Sequence, residues 1–193
     1  MTQAAFLNAD KIAQTTGGTW NNVPPTQFAA IAVDNRKLKH NALFVALPGE
    51  HVDGHDFVAT LQDESQQAAI VQTVQDCGSP QLVTPSPLAA LQQIAKMCAQ
   101  TTDGQKIALT GSVGKTGTKE IIAHILSRFG RTHATSGNYN NHIGLPLTLA
   151  NMPEECAFIV AEMGMNHSGE IAALPFGQCQ DAQQKEREQQ QRG

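Results

Sequence analysis

Lys106-Ile107-Ala108-Leu109-Thr110-Gly111-Ser112-Val113-Gly114-Lys115-Thr116 is the run that decides the fold class. Its first four residues read as a short strand, which passes without a spacer into a loop carrying glycine at 111 and 114. Downstream, Ile121, Ile122, Ile125, Leu126 and Phe129 recur at helical spacing, mark one face of a helix, and are followed by a terminating Gly130. A further apolar stretch, Phe158-Ile159-Val160-Ala161, predicts a strand ending in Glu162. Strand, loop, helix and strand in that order predict an α/β protein with a parallel sheet.

The loop itself points to phosphate. A phosphate chain is held by several backbone N–H groups converging on one place. Gly111 and Gly114 allow a tight turn with no Cβ between main chain and ligand. The helix opening near Thr116 aims its positive end at the anion. Lys115 adds a full charge for the β and γ oxygens, and the Thr116 hydroxyl is placed to ligate Mg²⁺. The run departs from G-x-x-x-x-G-K-[ST], because Leu109 stands where the first glycine belongs. Its position between a strand and an amphipathic helix favours ATP phosphates over a chance Gly-Lys-Thr turn. Glu162, at the end of a neighbouring strand, is a candidate second metal ligand; the alternative is an ordinary strand-end acid. His167, further on, reads as a turn or packing residue.

Upstream, residues 88–99 predict a helix from the spacing of Leu88, Leu91, Ile94, Ala95 and Cys98. Ala42-Leu43-Phe44-Val45-Ala46-Leu47 is a buried-strand run closed by Pro48-Gly49, and Ala68-Ala69-Ile70-Val71 is another. Pro80, Pro85 and Pro87 punctuate the chain and place a domain boundary near residue 84. The expected division is 1–84, then 85–176, then a tail at 177–193. Seven of the seventeen tail residues are Gln and six are charged, so no face can be buried and disorder is expected.

Composition narrows the rest. The 193 residues are 40% apolar but only 5% aromatic, so the core must come from Ala, Leu, Ile and Val. A net charge of −4 without long single-sign runs argues against nucleic acid as a partner. Cys77, Cys98, Cys156 and Cys179 fit neither a zinc site nor a disulfide framework and read as reduced thiols. With no signal peptide and no apolar run of about 20 residues, a soluble cytoplasmic protein with no membrane partner is expected.

Asn138, Asn140, Asn141 and His142 precede the apolar run from Ile143 to Leu149. Taken alone, this is either a polar loop with an N-capped helix or a set of amide donors for a ligand. The segments TGSVGKTGTKE, GNYNNHIGLPLTLANMP and AEMGMNHSGEIAAL, in this order and spacing, closely resemble the Mur ligase family. The T-G-S-x-G-K-T loop is that family's variant, which accounts for Leu109. Val33-Asp34-Asn35-Arg36 and the run from Leu43 to Phe57 resemble the family's uridine-nucleotide-binding region, with Asn35 where the family usually has Ser.

The resemblance implies a small N-terminal α/β uridine-nucleotide domain followed by an incomplete P-loop parallel-sheet ATPase domain. It is strongest for the member that adds D-alanyl-D-alanine to UDP-N-acetylmuramoyl-tripeptide. The implied reaction is an ATP- and Mg²⁺-dependent amide ligation through an acyl phosphate, in peptidoglycan synthesis, by a monomer. Carried onto this chain, Gly111, Ser112, Val113, Gly114, Lys115, Thr116 and Gly117 hold ATP phosphates. Thr116 and Glu162 hold the metal, and Lys115, Asn141 and His142 serve catalysis. Asn35, Arg36, Gly49, Glu50, His51, Asp53, Gly54 and His55 hold the uridine end. The resemblance stops near Leu174, so the chain reads as a truncated form, inactive alone. A nucleotide-binding module without ligase activity is the rival, and a small P-loop kinase is disfavoured because Arg131 is the only arginine over 131–176.

Overall fold

A computed structural model describes residues 7–49, 52–61, 66–111, 113–135 and 141–163. Two sheets are formed. The first has five strands: β1 (Thr19–Trp20), β2 (Ala30–Ala32), β3 (Ala42–Val45), β4 (Ala68–Val71) and β5 (Gln81–Val83). Their order is β1-β5-β4-β3-β2, parallel except for β1 against β5. The second has β6 (Gln105–Leu109), β7 (Thr132–Ala134) and β8 (Phe158–Glu162), all parallel in the order β6-β8-β7. The helices are α1 (Ala9–Thr16), α2 (Pro87–Thr101), α3 (Lys115–Leu126) and α4 (Gly144–Ala150).

Local chemistry sets the ends. Asn8 caps α1 by accepting from the Asp10 and Lys11 amides, and Gly17 ends it in the left-handed region. Ser86 caps α2 by accepting from Ala89 N–H, and Pro87 occupies the first turn where no N–H is needed. β3 and β4 are buried along their whole length, as central parallel strands covered on both faces must be. Leu43, Val45, Ala68 and Ile70 join the main core with α1 and α2, while Phe44, Ala46, Ala69 and Val71 form a second cluster with Val58 and Leu61.

Helix α2 sits beyond the proline-marked boundary, yet it packs on α1, β3 and β4 and most extensively on α4. One continuous core therefore runs from Leu7 through α2 to Met163. The Gln-rich stretch 177–193 lies outside the described residues.

The helix after the glycine loop differs from the expectation of one apolar face. Ile122 and Leu126 are half-buried beside the sheet, but Ile121 is 63% exposed, Ile125 51% and Phe129 76%. The apolar residues form two stripes about one-quarter turn apart, and only one can face β7 and β8. We predict that Phe129→Ser changes stability by no more than about 0.5 kcal/mol while lowering self-association. Thermal melting and light scattering check this; a clearly lower melting temperature means the ring is packed.

His133 in β7 is half-buried, and its Nε2–H donates to the Thr148 carbonyl of α4 at 2.9 Å. Burial, helped by nearby Arg131, pulls its pKa below 6.5, against the opposing effect of the Thr148 bond. The unfolded chain therefore takes up this proton first as pH falls, and stability drops below the unfolded pKa. Melting temperature is expected to decline from about pH 7 to about pH 5, with a shallower slope for His133→Gln. An unchanged slope in the variant removes His133 as the cause.

Candidate functional site

Parallel pairing places Leu109, the last residue of β6, opposite Glu162, the last of β8. The glycine loop leaves β6 at that level. Gly114 has φ 77°, a left-handed conformation that suits glycine, and a Cβ there would meet nothing within 4 Å. The requirement at 114 is thus conformational rather than spatial. Helix α3 starts at the next residue, and first-turn amides of a helix lack intrahelical acceptors. Lys115 Nζ donates to the Gly111 carbonyl at 2.6 Å, so the loop is closed by its own lysine. Ser112 lies outside the described residues; Val113 is 90% exposed.

Thr116 Oγ1 donates to Glu162 Oε2 at 2.8 Å, joining two residues 46 positions apart. Glu162 is buried, and its amide donates to Thr135 Oγ1 at 3.0 Å. Thr135 carries a second tie, because the buried Lys119 Nζ donates to its carbonyl at 2.7 Å. The ends of β7 and β8 are thereby fixed to the first turns of α3. A hydroxyl beside a buried carboxylate, at the start of a helix, fits a hard divalent cation such as Mg²⁺, which takes few protein oxygens and keeps waters and phosphates as its other ligands. Lys119 and Thr135 escaped the sequence reading. The available signal was that Lys119 falls on the same helical stripe as Ile122 and Leu126.

Asn141 lies at the start of α4, where its Oδ1 accepts from Gly144 N–H at 2.7 Å and Ile143 N–H at 3.2 Å. His142 beside it is exposed. The preceding residues 136–140, with Asn166 and His167, lie outside the described residues.

A second site lies over the first sheet. A pocket of about 530 Å³ is lined by Asn35 and Arg36 beyond β2, Phe44 of β3, and Leu47, Val52 and Phe57. Apolar walls with a few polar groups at this volume suit a small heterocyclic ligand. Asp34 Oδ1 and Oδ2 accept from Arg36 Nε and Nη2, each at 2.9 Å. This hydrogen-bonded guanidinium lowers the Asp34 pKa to about 2. Gly54 also lines the pocket, and a Cβ there would lie 2.7 Å from Leu47 N and 2.8 Å from its carbonyl oxygen. Only glycine lets the 54–60 turn seat against the end of β3.

His55 is buried, with both ring nitrogens engaged. Nε2 accepts from Gln72 N–H at 2.9 Å, and Nδ1 therefore carries the proton toward Asp53 Oδ1 at 2.6 Å. The His55 amide also donates to Asp53 Oδ1, and this bond first, then the ring, lowers the Asp53 pKa. Asp53 and His55 thus shape the loop from within, whereas Asn35, Arg36 and Gly54 line the cavity. Gly49 sits where a Cβ would collide with the Val52 carbonyl; Glu50 and His51 lie outside the described residues.

Residues 27–97 match the Mur ligase family, catalytic domain, and residues 109–176 match the Mur ligase middle domain. A UDP-N-acetylmuramoyl-tripeptide–D-alanyl-D-alanine ligase of Bacillus subtilis is 40% identical over 172 residues, covering 84% of this chain and 37% of that protein. Its counterpart from Escherichia coli is 43% identical over 143 residues, covering 74% and 32%. Among solved structures, a UDP-N-acetylmuramoylalanyl-D-glutamyl-2,6-diaminopimelate–D-alanyl-D-alanyl ligase from Acinetobacter baumannii superposes with a TM-score of 0.79 at 39% identity, covering 86% of this chain and 38% of its own. A MurF ligase from Thermotoga maritima in complex with ADP gives 0.63 at 29% identity, covering 75% and 34%. The chain spans a little over one third of the Bacillus relative's length.

Proposed function

The chain belongs to the Mur ligase family, and we propose that it carries the uridine-nucleotide and ATP-phosphate sites of a UDP-N-acetylmuramoyl-tripeptide–D-alanyl-D-alanine ligase. The observation that carries this reading is the contact of Thr116 with Glu162 at the mouth of the glycine loop. In the proposed reaction, a tripeptide carboxylate oxygen takes the γ-phosphoryl group of ATP, and ADP leaves as the bond to the β-phosphate oxygen breaks. The amine of D-alanyl-D-alanine then attacks the acyl phosphate, and phosphate leaves. Magnesium, when bound, neutralises charge on the phosphates.

The chain's own residues bind and orient. The 111–117 backbone surrounds the phosphates, and Lys115 exchanges its bond to Gly111 for phosphate oxygens, where its charge stabilises the transferring group. Thr116 and Glu162 would hold the cation. Asn141 and His142, at the start of α4, would line the region between nucleotide and substrate. Asn35 and Arg36, with the 49–55 loop, hold the uridine, whose imide edge offers one donor between two acceptors and suits an amide side chain. The ADP complex of the Thermotoga relative supports ATP as the nucleotide. Residues 1–84 would then serve the UDP-sugar and 85–176 the ATP, in a cytoplasmic monomer. No described helix is long and apolar enough to cross a membrane.

Calorimetric titration with UDP-N-acetylmuramoyl-tripeptide and with Mg·ATP tests this reading. Binding of both, without mutual displacement, is the expected result. Competition between the two ligands, or failure of either to bind, overturns the two-site assignment.

A further inference from the structure

Strand β2 is the outer strand of the first sheet, and among the described residues no strand pairs with its free edge. Such an edge leaves main-chain donors and acceptors without a ladder. At Ile31, which is buried, one side chain replaces the missing strand. Asn151 Oδ1 accepts from Ile31 N–H at 2.8 Å, and Asn151 Nδ2 donates to the Ile31 carbonyl at 2.9 Å. A planar amide is suited to this, because it presents one acceptor and one donor side by side. The second Nδ2 proton goes to the Leu147 carbonyl of α4 at 2.9 Å, which fixes the amide's orientation.

We propose that Asn151 is a positioning residue that ties the uridine-side pocket segment 33–36 to helix α4. Two features of chain placement give the tie its reach. Ile31 is only two residues before Val33, where the pocket lining begins, and Asn151 itself is not part of that lining. At its other end, Asn151 follows directly on α4, the helix that starts beside Asn141 and His142 and accepts the His133 bond from β7. One amide therefore sets the edge of the first sheet against the helix flanking the phosphate-loop half. No other residue type of that size supplies both hydrogen bonds. Aspartate keeps the acceptor but turns a carboxylate oxygen toward the Ile31 carbonyl, and alanine removes both partners from a buried peptide group.

This role rests on reading the pocket as the uridine site, so the test separates the two claims. The whole chain and its Asn151→Ala and Asn151→Asp variants are compared by hydrogen–deuterium exchange, with UDP and ADP as binding probes. In Asn151→Ala, exchange over 31–36 is expected to rise roughly tenfold, and UDP affinity to fall by a similar factor. ADP affinity should stay within about twofold, a contrast that general loss of stability does not produce. Asn151→Asp should show the same pattern more weakly, and it decides the matter if the alanine variant does not fold. Unchanged exchange over 31–36 in folded variants overturns the proposal, as does unchanged UDP affinity. If the unaltered chain does not bind UDP, the uridine reading fails, while the exchange rates still decide whether Asn151 holds the segment.

Discussion

Replacing Leu91 by alanine should destabilise the folded chain by about 2–5 kcal/mol. Leu91 is fully buried on α2, the helix that packs against α1, β3, β4 and α4. Truncation removes the transfer free energy of the lost carbons, and the rigid neighbours leave part of the space unfilled. For a chain of this size, 1 kcal/mol corresponds to about 2–4 °C, so the melting temperature should fall by about 4–20 °C. The location makes a second, sharper expectation. Leu91 belongs to one core cluster that includes Ile31 and Ile70 of the first sheet and Leu149 and Ile159 of the second half. Both halves should therefore lose stability together. Differential scanning calorimetry combined with exchange by region checks this. Loss confined to residues 7–83, with β6–β8 unaffected, means that α2 does not join the two cores energetically.

Lys115→Ala should weaken ATP binding by about 1.5–3 kcal/mol, roughly 10- to 150-fold, the range for hydrogen bonds involving a charged group. Stability should barely change, because the ammonium group is on the surface and bonded only to its own loop at Gly111 among the described contacts. Arginine is not expected to substitute, since its planar fork cannot occupy the place of a compact ammonium beside the Gly111 carbonyl. Calorimetric titration with Mg·ATP measures the change. Equal affinities for the variant and the unaltered chain mean that the loop does not hold phosphate.

Much of the frame was legible in the residues. The strands at 42–45, 68–71 and 158–162 were visible as apolar runs bounded by turns, and α2 as a periodic stripe from Leu88 to Cys98. The glycine loop announced its place because β6 leads straight into it. The two- or three-residue strands β1, β2, β5 and β7 were not visible, since so short a segment carries no measurable period. Nor could the pattern at 121–129 say which of its two stripes meets the sheet.

The sequence by itself determined what depends on near neighbours: turn chemistry at Gly111 and Gly114, helix caps at Asn8 and Ser86, and the residue types at the mouth of the loop. Tertiary structure alone decided which of those groups meet. Strand order and register set Glu162 one strand from Leu109 and thus against Thr116. The turn of the 53–55 loop gave His55 its bonds to Asp53 and Gln72 instead of an open face. The packing of α4 on α2 brought Asn151 to the edge at Ile31, 120 residues away. The physical reason is that hydrophobic periodicity says a face is buried without naming what covers it, and a hydrogen-bonding side chain has no partner until distant segments have packed.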